Sequence, residues 1–231
     1  MIRRKIIPIV EGHGEERAVP FLLRRWLRHR RFHDFFDVPD LAINAKGCGR
    51  LKAAYDRTRH LGIEHYIEAA LRNQPDAILV VIDADDECKS RLPGNGLGPE
   101  LLARARKVVP NLPLAVVVAN PEYEAWFLAS PSSIRAAGLL PVHVRIQGTL
   151  TPEFSRGCKG LIEHLICCRY EETVHQLALT HGLTFSRRAQ HRSPSYGKLL
   201  RDLERLCREA RINGRKVNEE SKIKFGAGPS E

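Results

Sequence analysis

The sequence predicts an α/β fold, in which helices cover a central parallel sheet of about four strands and a mainly helical C-terminal extension follows. Nearly continuous apolar runs at 77–83 and 114–119 are typical of parallel strands that are buried on both faces. Stretches with apolar residues at helical spacing separate the predicted strands. Alternation of strands with helices is the pattern of an α/β domain with a parallel sheet.

The first third of the chain already shows this alternation. Residues 5–10 are predicted to form the first strand, and a helix is predicted from Glu15, where acidic residues suit the positive end of the helix dipole. Pro20 lies in the second turn of that helix, so we expect a kink or a restart near it. A second strand is predicted at 41–47, and a long helical pattern covers 49–73.

The remaining elements follow in the order strand 77–83, loop 91–99, helix 100–109, strand 114–119 and a helix that opens at Asn120 or Pro121. The strand signal then fades, and helical patterns return at 159–182 and 194–211. We therefore predict three parts: an α/β domain over 1–150, a helical extension packed on it over 151–211, and a fraying polar tail over 212–231.

Composition limits the classes of function. No stretch of the 231 residues approaches the ~18 consecutive apolar residues of a membrane-spanning helix, so we expect a soluble protein with no membrane partner. The six cysteines form no C-x-x-C pair, which argues against a zinc module or a disulfide framework and favours reduced thiols in the cytoplasm. The net charge of +10 favours a polyanionic partner such as DNA or RNA.

Acidic residues follow two of the predicted strands at the point where each strand ends. Glu11 follows the first strand, and Asp83, Asp85, Asp86 and Glu87 follow the third. In the flavodoxin-like strand order 2-1-3-4 these two strands are neighbours, and ligands bind beyond the carboxyl ends of such strands. The sequence therefore predicts that these acids converge at one edge of the sheet.

Converging carboxylates repel one another, and a divalent cation removes the conflict. Mg²⁺ prefers oxygen ligands, and Mn²⁺ accepts the same set. Asp83 and Asp85 point the same way in an extended segment, and Glu87 continues the row. We therefore predict that Glu11, Asp83, Asp85 and Glu87 bind Mg²⁺ or Mn²⁺. The alternative is that these acids cap helices or pair with arginine and lysine.

Other residues are candidates for accessory roles. Glu122 and Glu124 are predicted in the first turn of a helix that follows the fourth strand, where acids are also favourable without any function. Gly12 lets the backbone pass close to a ligand, and His13 is suited to contact a phosphate or to transfer a proton. Asp86 is a further candidate.

A basic stretch at 185–206 is a candidate nucleic-acid interface. It combines basic residues with residues that suit phosphate contacts and base stacking: Arg187, Arg188, His191, Arg192 and Lys198 with Ser193, Ser195 and Tyr196. The alternative is a solvated loop followed by an amphipathic helix that Ser193 or Ser195 caps.

These strings together resemble a known family. A strand followed by Glu11-Gly12 and another followed by Asp83-x-Asp85 resemble the TOPRIM domain of topoisomerases, primases and OLD-family nucleases. Over roughly 3–205 the chain more specifically resembles the TOPRIM-like DUF4276 family, through "VEGHGEERAVPFLLRRW", "VVIDADDE", "NPEYEAWFLA" and "RRAQHRSPSYGKLLRDL". The resemblance implies a three-layer TOPRIM/Rossmann-like fold.

The resemblance also implies an activity. Glu11 would act as general acid or base, and Asp83 and Asp85 would hold Mg²⁺ while a phosphodiester is cut or joined; Glu87 matches a third acid of the topoisomerase version. The modules of a complete topoisomerase or primase are missing from the pattern, which leaves a nuclease, implied to work beside an ATPase in antiviral defence. The alternative is a non-catalytic subunit that binds nucleic acid or an ATPase. A haloacid-dehalogenase-like phosphatase is disfavoured. That family needs a threonine or serine and a lysine at the ends of later strands, whereas the fourth strand here ends in "ANPEYE".

Overall fold

The computed structural model describes residues 3–84, 96–141, 152–154 and 157–226, with side chains up to residue 213. The strands are β1 (Arg4–Val10), β2 (Phe36–Asp37), β3 (Ile43–Asn44), β4 (Ala77–Asp83) and β5 (Leu114–Ala119). The helices are α1 (Glu15–His29), α2 (Cys48–Lys52), α3 (Ile63–Leu71), α4 (Leu97–Val108), α5 (Glu124–Ala129), α6 (Ser132–Ala136), α7 (Cys158–Ile166), α8 (Glu172–His181), α9 (Arg187–Arg192) and α10 (Pro194–Gly226), with one 3₁₀ turn at Pro152–Phe154.

The strands form one parallel sheet in the order β2-β1-β4-β5, and β3 also pairs with β1. Val10 lies opposite Val81, and Asp83 lies opposite Ala119. The prediction that the first and third apolar strands, now β1 and β4, lie next to each other in the sheet is therefore confirmed. The carboxyl ends of β1, β4 and β5 lie along one edge of the sheet, where the candidate site is found.

Helices cover both faces of the sheet, because side chains of each central strand alternate between two cores. Ile6, Leu79 and Val117 pack in a core with α1 and with the C-terminal helices, whereas Ile7, Val80 and Val116 pack with α2, α3 and α4. This is a three-layer arrangement. The described residues of the predicted α/β domain and helical extension share the first core; the boundaries of the three predicted parts stay predictions.

Helix α1 runs without interruption through Pro20, where the sequence indicated a kink or a restart. Proline has no backbone N–H, so the carbonyl group of Glu16, four residues earlier, lacks its usual helical donor. The N–H of Ala42 donates to that carbonyl oxygen at 2.8 Å. The carbonyl group that Pro20 leaves without a helical donor therefore binds the segment before β3.

Several predicted elements differ in extent from those observed. The pattern at 49–73 gives α2 and α3, separated by a turn that an Asp56–Leu61 bridge closes. The pattern at 159–182 is divided at Cys167, whose backbone is left-handed (φ 55°). Helix α4 begins at Leu97, earlier than predicted, and α10 continues to Gly226, through most of the range predicted as a tail. The predicted loop at 91–99 lies largely outside the described residues.

None of the helices in the described part of the chain combines the length and the apolar character needed to cross a bilayer. None of the five cysteines that the structure describes is in a disulfide.

Candidate active site

Two predicted acids meet at the carboxyl edge of the sheet. The Glu11 side chain directly follows β1, and its Oε2 accepts a hydrogen bond from the backbone N–H of Asp83, at the end of β4, at 3.0 Å. The register that places Val10 opposite Val81 produces this contact between residues 72 positions apart. The predicted convergence of the two strand ends is confirmed, whereas the roles of the two residues stay predictions.

The environment of Asp83 disfavours its charge. Its Oδ1 accepts a hydrogen bond from the backbone N–H of Tyr123 at 2.9 Å. The residue as a whole is only half-buried, but protein surrounds its carboxyl group. That burial, together with the nearby carboxylates of Glu124, Glu15 and Glu11, raises the pKa of Asp83 well above its usual range. We call the four residues Glu11, Glu15, Asp83 and Glu124 the acidic edge.

Glu124 is the first residue of α5 and is almost completely buried. Its Oε1 accepts hydrogen bonds from Tyr170 Oη at 2.8 Å and from Gln176 Nε2 at 3.4 Å. Its Oε2 is buried without a hydrogen-bond partner among the described residues. Burial raises the pKa of Glu124 to about 7, although the nearby Lys159 opposes the shift. The surroundings of Glu124 therefore favour its neutral form compared with an exposed glutamate.

Gln176 joins α8 to this edge. Its Nε2 donates to Glu15 Oε1 at 2.7 Å as well as to Glu124, and the side chain is fully buried. Its Oε1 has no hydrogen-bond partner in the part of the chain that the structure describes. Three helices, α1, α5 and α8, are thus connected through one amide. Sequence reasoning missed this residue, although a glutamine three residues before the buried Leu179 on the same helix is a usable signal.

The glycines of "EGHG" make room for these contacts. The backbone N–H of Gly12 donates to Glu15 Oε2 at 3.1 Å, and a Cβ on Gly12 would lie 2.8 Å from that oxygen. A Cβ on Gly14 would lie only 2.0 Å from Gln176 Oε1. The close approach that the sequence predicted for Gly12 is therefore made with the protein's own side chains in this structure.

We expect Gly14→Ala to destabilise the protein by about 1–3 kcal/mol, because the new methyl group must displace the buried Gln176 amide. Urea unfolding monitored by circular dichroism measures the change. Gly49→Ala is the matched control, since a Cβ on that helical glycine meets nothing within 4 Å. Equal stabilities of the two variants would contradict the crowding of Gly14 against Gln176.

A lysine from α7 lies beside the acids. The backbone N–H of Lys159 donates to Glu122 Oε1 at 3.1 Å, and its Nζ pairs with Glu172 and lies 3.8 Å from Glu122 Oε2. Burial opposes the charge, but the carboxylates of Glu124 and Glu172 raise the pKa of Lys159. Glu122 precedes α5, so its predicted place in the first turn of that helix is wrong.

The structure describes His13 but not Asp85, Asp86 or Glu87. His13 is exposed, and its Nδ1 lies 3.1 Å from Asn44 Nδ2 and 3.5 Å from a Glu16 carboxylate oxygen. Asp85, Asp86 and Glu87 lie outside the described residues, in the range 85–95. Their predicted places beside Asp83 stay predictions.

The basic stretch divides into exposed and structural residues. Arg187 and Arg188 are exposed on α9, and Arg192 is half-buried at its end. Lys198, on α10, donates to the carbonyl oxygen of Val116 at 2.9 Å and pairs with Asp202. The ammonium group of Lys198 is therefore already engaged with β5 and α10.

The two serines and the tyrosine proposed for phosphate contacts and base stacking, Ser193, Ser195 and Tyr196, are buried. Ser193 and Tyr196 are fully buried, so their predicted role in phosphate contacts and base stacking is wrong. Ser193 Oγ instead accepts a hydrogen bond from the backbone N–H of Tyr196 at 3.3 Å, which is the helix cap of the alternative interpretation. Ser195 Oγ accepts from Trp126 Nε1 at 3.0 Å inside the core.

The acidic edge suits a hard divalent cation in its chemistry. Its donor atoms are carboxylate oxygens, which such a cation prefers. Burial and repulsion between the carboxylates raise the pKa of Asp83. Glu124 Oε2 has no hydrogen-bond partner among the described residues. Within the described ranges, no three aspartate, glutamate, histidine or cysteine side chains already surround a point where an ion could bind. Two of the four predicted ligands, Asp85 and Glu87, lie outside those ranges.

The family model described as a domain of unknown function (DUF4276) matches residues 10–204, which include all four residues of the acidic edge. No curated protein and no solved structure matches the chain.

Proposed function

Since the chain belongs to the DUF4276 family, we propose from the geometry of its acidic edge that it is a Mg²⁺- or Mn²⁺-dependent nuclease, or a related phosphodiester transferase, that acts on DNA or RNA. The observation that carries the proposal is the contact of Glu11 with Asp83 at the carboxyl ends of two parallel strands. The resemblance to TOPRIM domains supports it, because those domains place acids at the same strand ends.

Glu11 and Asp83 would hold the cation. Asp85 and Glu87, which lie outside the described residues, would complete its ligands. A divalent cation supplies a water of lowered pKa and neutralises negative charge on the phosphodiester. Glu124, with a pKa of about 7, accepts or releases a proton near neutral pH. Tyr170 and Gln176 hold the Glu124 carboxyl group in place, and Lys159 contributes positive charge beside it.

We expect the purified protein to cut labelled single-stranded or double-stranded DNA or RNA with Mg²⁺ or Mn²⁺ and not with EDTA. Glu11→Gln and Asp83→Asn should each lower the rate about 100-fold or more, because each replaces a carboxyl group that would hold the cation with an amide. Glu100→Gln, which removes an exposed acid from α4, is the matched control and should cut at the wild-type rate.

A second measurement does not depend on cleavage. A cation that binds only the folded protein stabilises it by about 3 kcal/mol at a concentration 100 times its dissociation constant. Mn²⁺ should therefore raise the unfolding temperature of wild type and of Glu100→Gln, and should raise that of Asp83→Asn much less. Cleavage that both acidic-edge variants retain would contradict the nuclease.

The second candidate is a non-catalytic subunit that binds nucleic acid or an ATPase. The exposed arginines of α9 and the net charge of +10 favour it. Salt-sensitive binding of nucleic acid without cutting, at an affinity that Glu11→Gln and Asp83→Asn leave unchanged, would support this subunit in place of the nuclease.

A further inference from the structure

Two adjoining clefts run between α1 and α8 on the outside of the molecule. One is about 610 Å³ and begins at His13 and Gly14, beside the acidic edge. The other is about 380 Å³ and ends at Arg24 and Asp40. Both are lined by Arg17, Leu41 and Leu177, so the two clefts adjoin along these residues. We call this surface the α1–α8 groove.

One wall of the groove is a single face of α1. Arg17, Phe21 and Arg24 lie at helical spacing on α1. At 1.5 Å per residue, the seven steps from Arg17 to Arg24 extend about 10 Å, and His13 precedes α1 at the end of the groove beside the acidic edge. The groove therefore accommodates an extended ligand that begins next to the acidic edge.

The polar groups of the groove favour an anionic ligand. Arg17 is exposed and makes no hydrogen bond or ion pair among the described residues. His181 is exposed on the opposite wall. Glu16, an acid at this end, already accepts a hydrogen bond from Asn44 at 3.1 Å and lies 3.5 Å from His13. At the other end the exposed carboxylate of Asp40 pairs with Arg24 at 3.2 Å, so Arg17 is, among the described residues of the groove, the arginine that remains available to a phosphate.

The groove also offers surfaces for flat apolar groups. The rings of Phe21 and His181 lie 3.9 Å apart between centroids and connect the two walls. Leu41 is 49% exposed and Val174 is 60% exposed, and both line the larger cleft. Aromatic and apolar surface beside a cation is the combination on which single-stranded bases stack while phosphates are held.

We propose that the α1–α8 groove binds a segment of single-stranded nucleic acid and leads it to the acidic edge. The inference rests on the proposed function, since it names the strand that the acidic edge would cut. His13 and Gly14 lie two and three residues after Glu11, so a strand in the groove reaches the site at this end. Bases contact Leu41, Val174 and the Phe21–His181 pair, and Arg17 contacts the backbone.

The test is binding of a fluorescein-labelled oligothymidylate, measured by fluorescence anisotropy in EDTA so that no cleavage occurs. Arg17→Ala, Val174→Glu and His181→Ala should each weaken binding about tenfold, and Arg17→Ala should lower the slope of log affinity against log salt by about 0.7. Arg72→Ala and Leu71→Glu, exposed positions at the end of α3, are the matched controls and should bind as wild type does.

The outcomes separate the groove from the nuclease. Groove variants that bind as wild type does, with binding lost instead in the double variant Arg187→Ala, Arg188→Ala, would overturn the groove and place the ligand on α9. The same unchanged binding would also be the result if the groove receives a protein. If the groove variants bind weakly while no protein cuts with Mg²⁺, the groove is supported and the proposed nuclease fails.

Discussion

Glu124→Gln should make the protein more stable at pH 8 by up to about 3 kcal/mol and should remove the part of the pH dependence of its stability that Glu124 contributes. The native pKa of Glu124 is about 7, whereas an exposed glutamate titrates near 4.5. The folded state therefore binds more protons than the unfolded state between these values, so stability falls as pH rises from about 4.5 to 7. Above pH 7 the full cost of the buried charge is present.

The measurement is urea unfolding in EDTA at pH 5, 6, 7 and 8. The advantage of Glu124→Gln over wild type should be small at pH 5, grow through pH 7 and level off at pH 8. A slope should remain in the variant, because burial and the neighbouring carboxylates also raise the pKa of Asp83. Glu100→Gln should retain the wild-type pH dependence, and a pH-independent difference between Glu124→Gln and wild type would refute the explanation.

Gly182→Ala should destabilise the protein by about 3 kcal/mol or more. Gly182 ends α8 against α6, and an added Cβ would lie 2.4 Å from Ser133 Cα and 2.5 Å from its carbonyl oxygen. Both are backbone atoms of a fully buried residue, so no side-chain rotation relieves the clash. Helix α8 has to shift, and it carries Gln176.

Thermal and urea unfolding measure the loss. Gly160→Ala, within α7, is the matched control, because a Cβ there meets nothing within 4 Å and alanine favours a helix. Gly182→Ala as stable as Gly160→Ala would show that α6 and α8 are not in the close contact described.

Long apolar strands were predictable and short edge strands were not. Strands β4 and β5 begin and end where the sequence predicts, because each is a buried apolar run between polar or proline-containing segments. Strand β3 covers only Ile43–Asn44 of the predicted 41–47, and β2 was not predicted. A two-residue strand at an edge has no periodic pattern and depends on its partner for definition.

The site was predictable only where topology alone determines it. Glu11 and Asp83 meet because two parallel strands end together, and strand ends are visible in the sequence. Glu15 was interpreted only as an acid at a helix start, which already explained it. Its contact with Gln176 depends on how α1 and α8 pack, and such packing leaves little trace in local sequence patterns.

The hydrogen bond between Glu15 and Gln176 joins positions 161 residues apart. During synthesis it can form only after α8 has been added to the chain. At about 5–20 residues per second, a ribosome needs roughly 8–32 s to add α8 after α1 has been made. During that interval the emerging polypeptide lacks the amide that orients two of the four acids. The contacts of the acidic edge are therefore completed only late in translation, after α8 has been made.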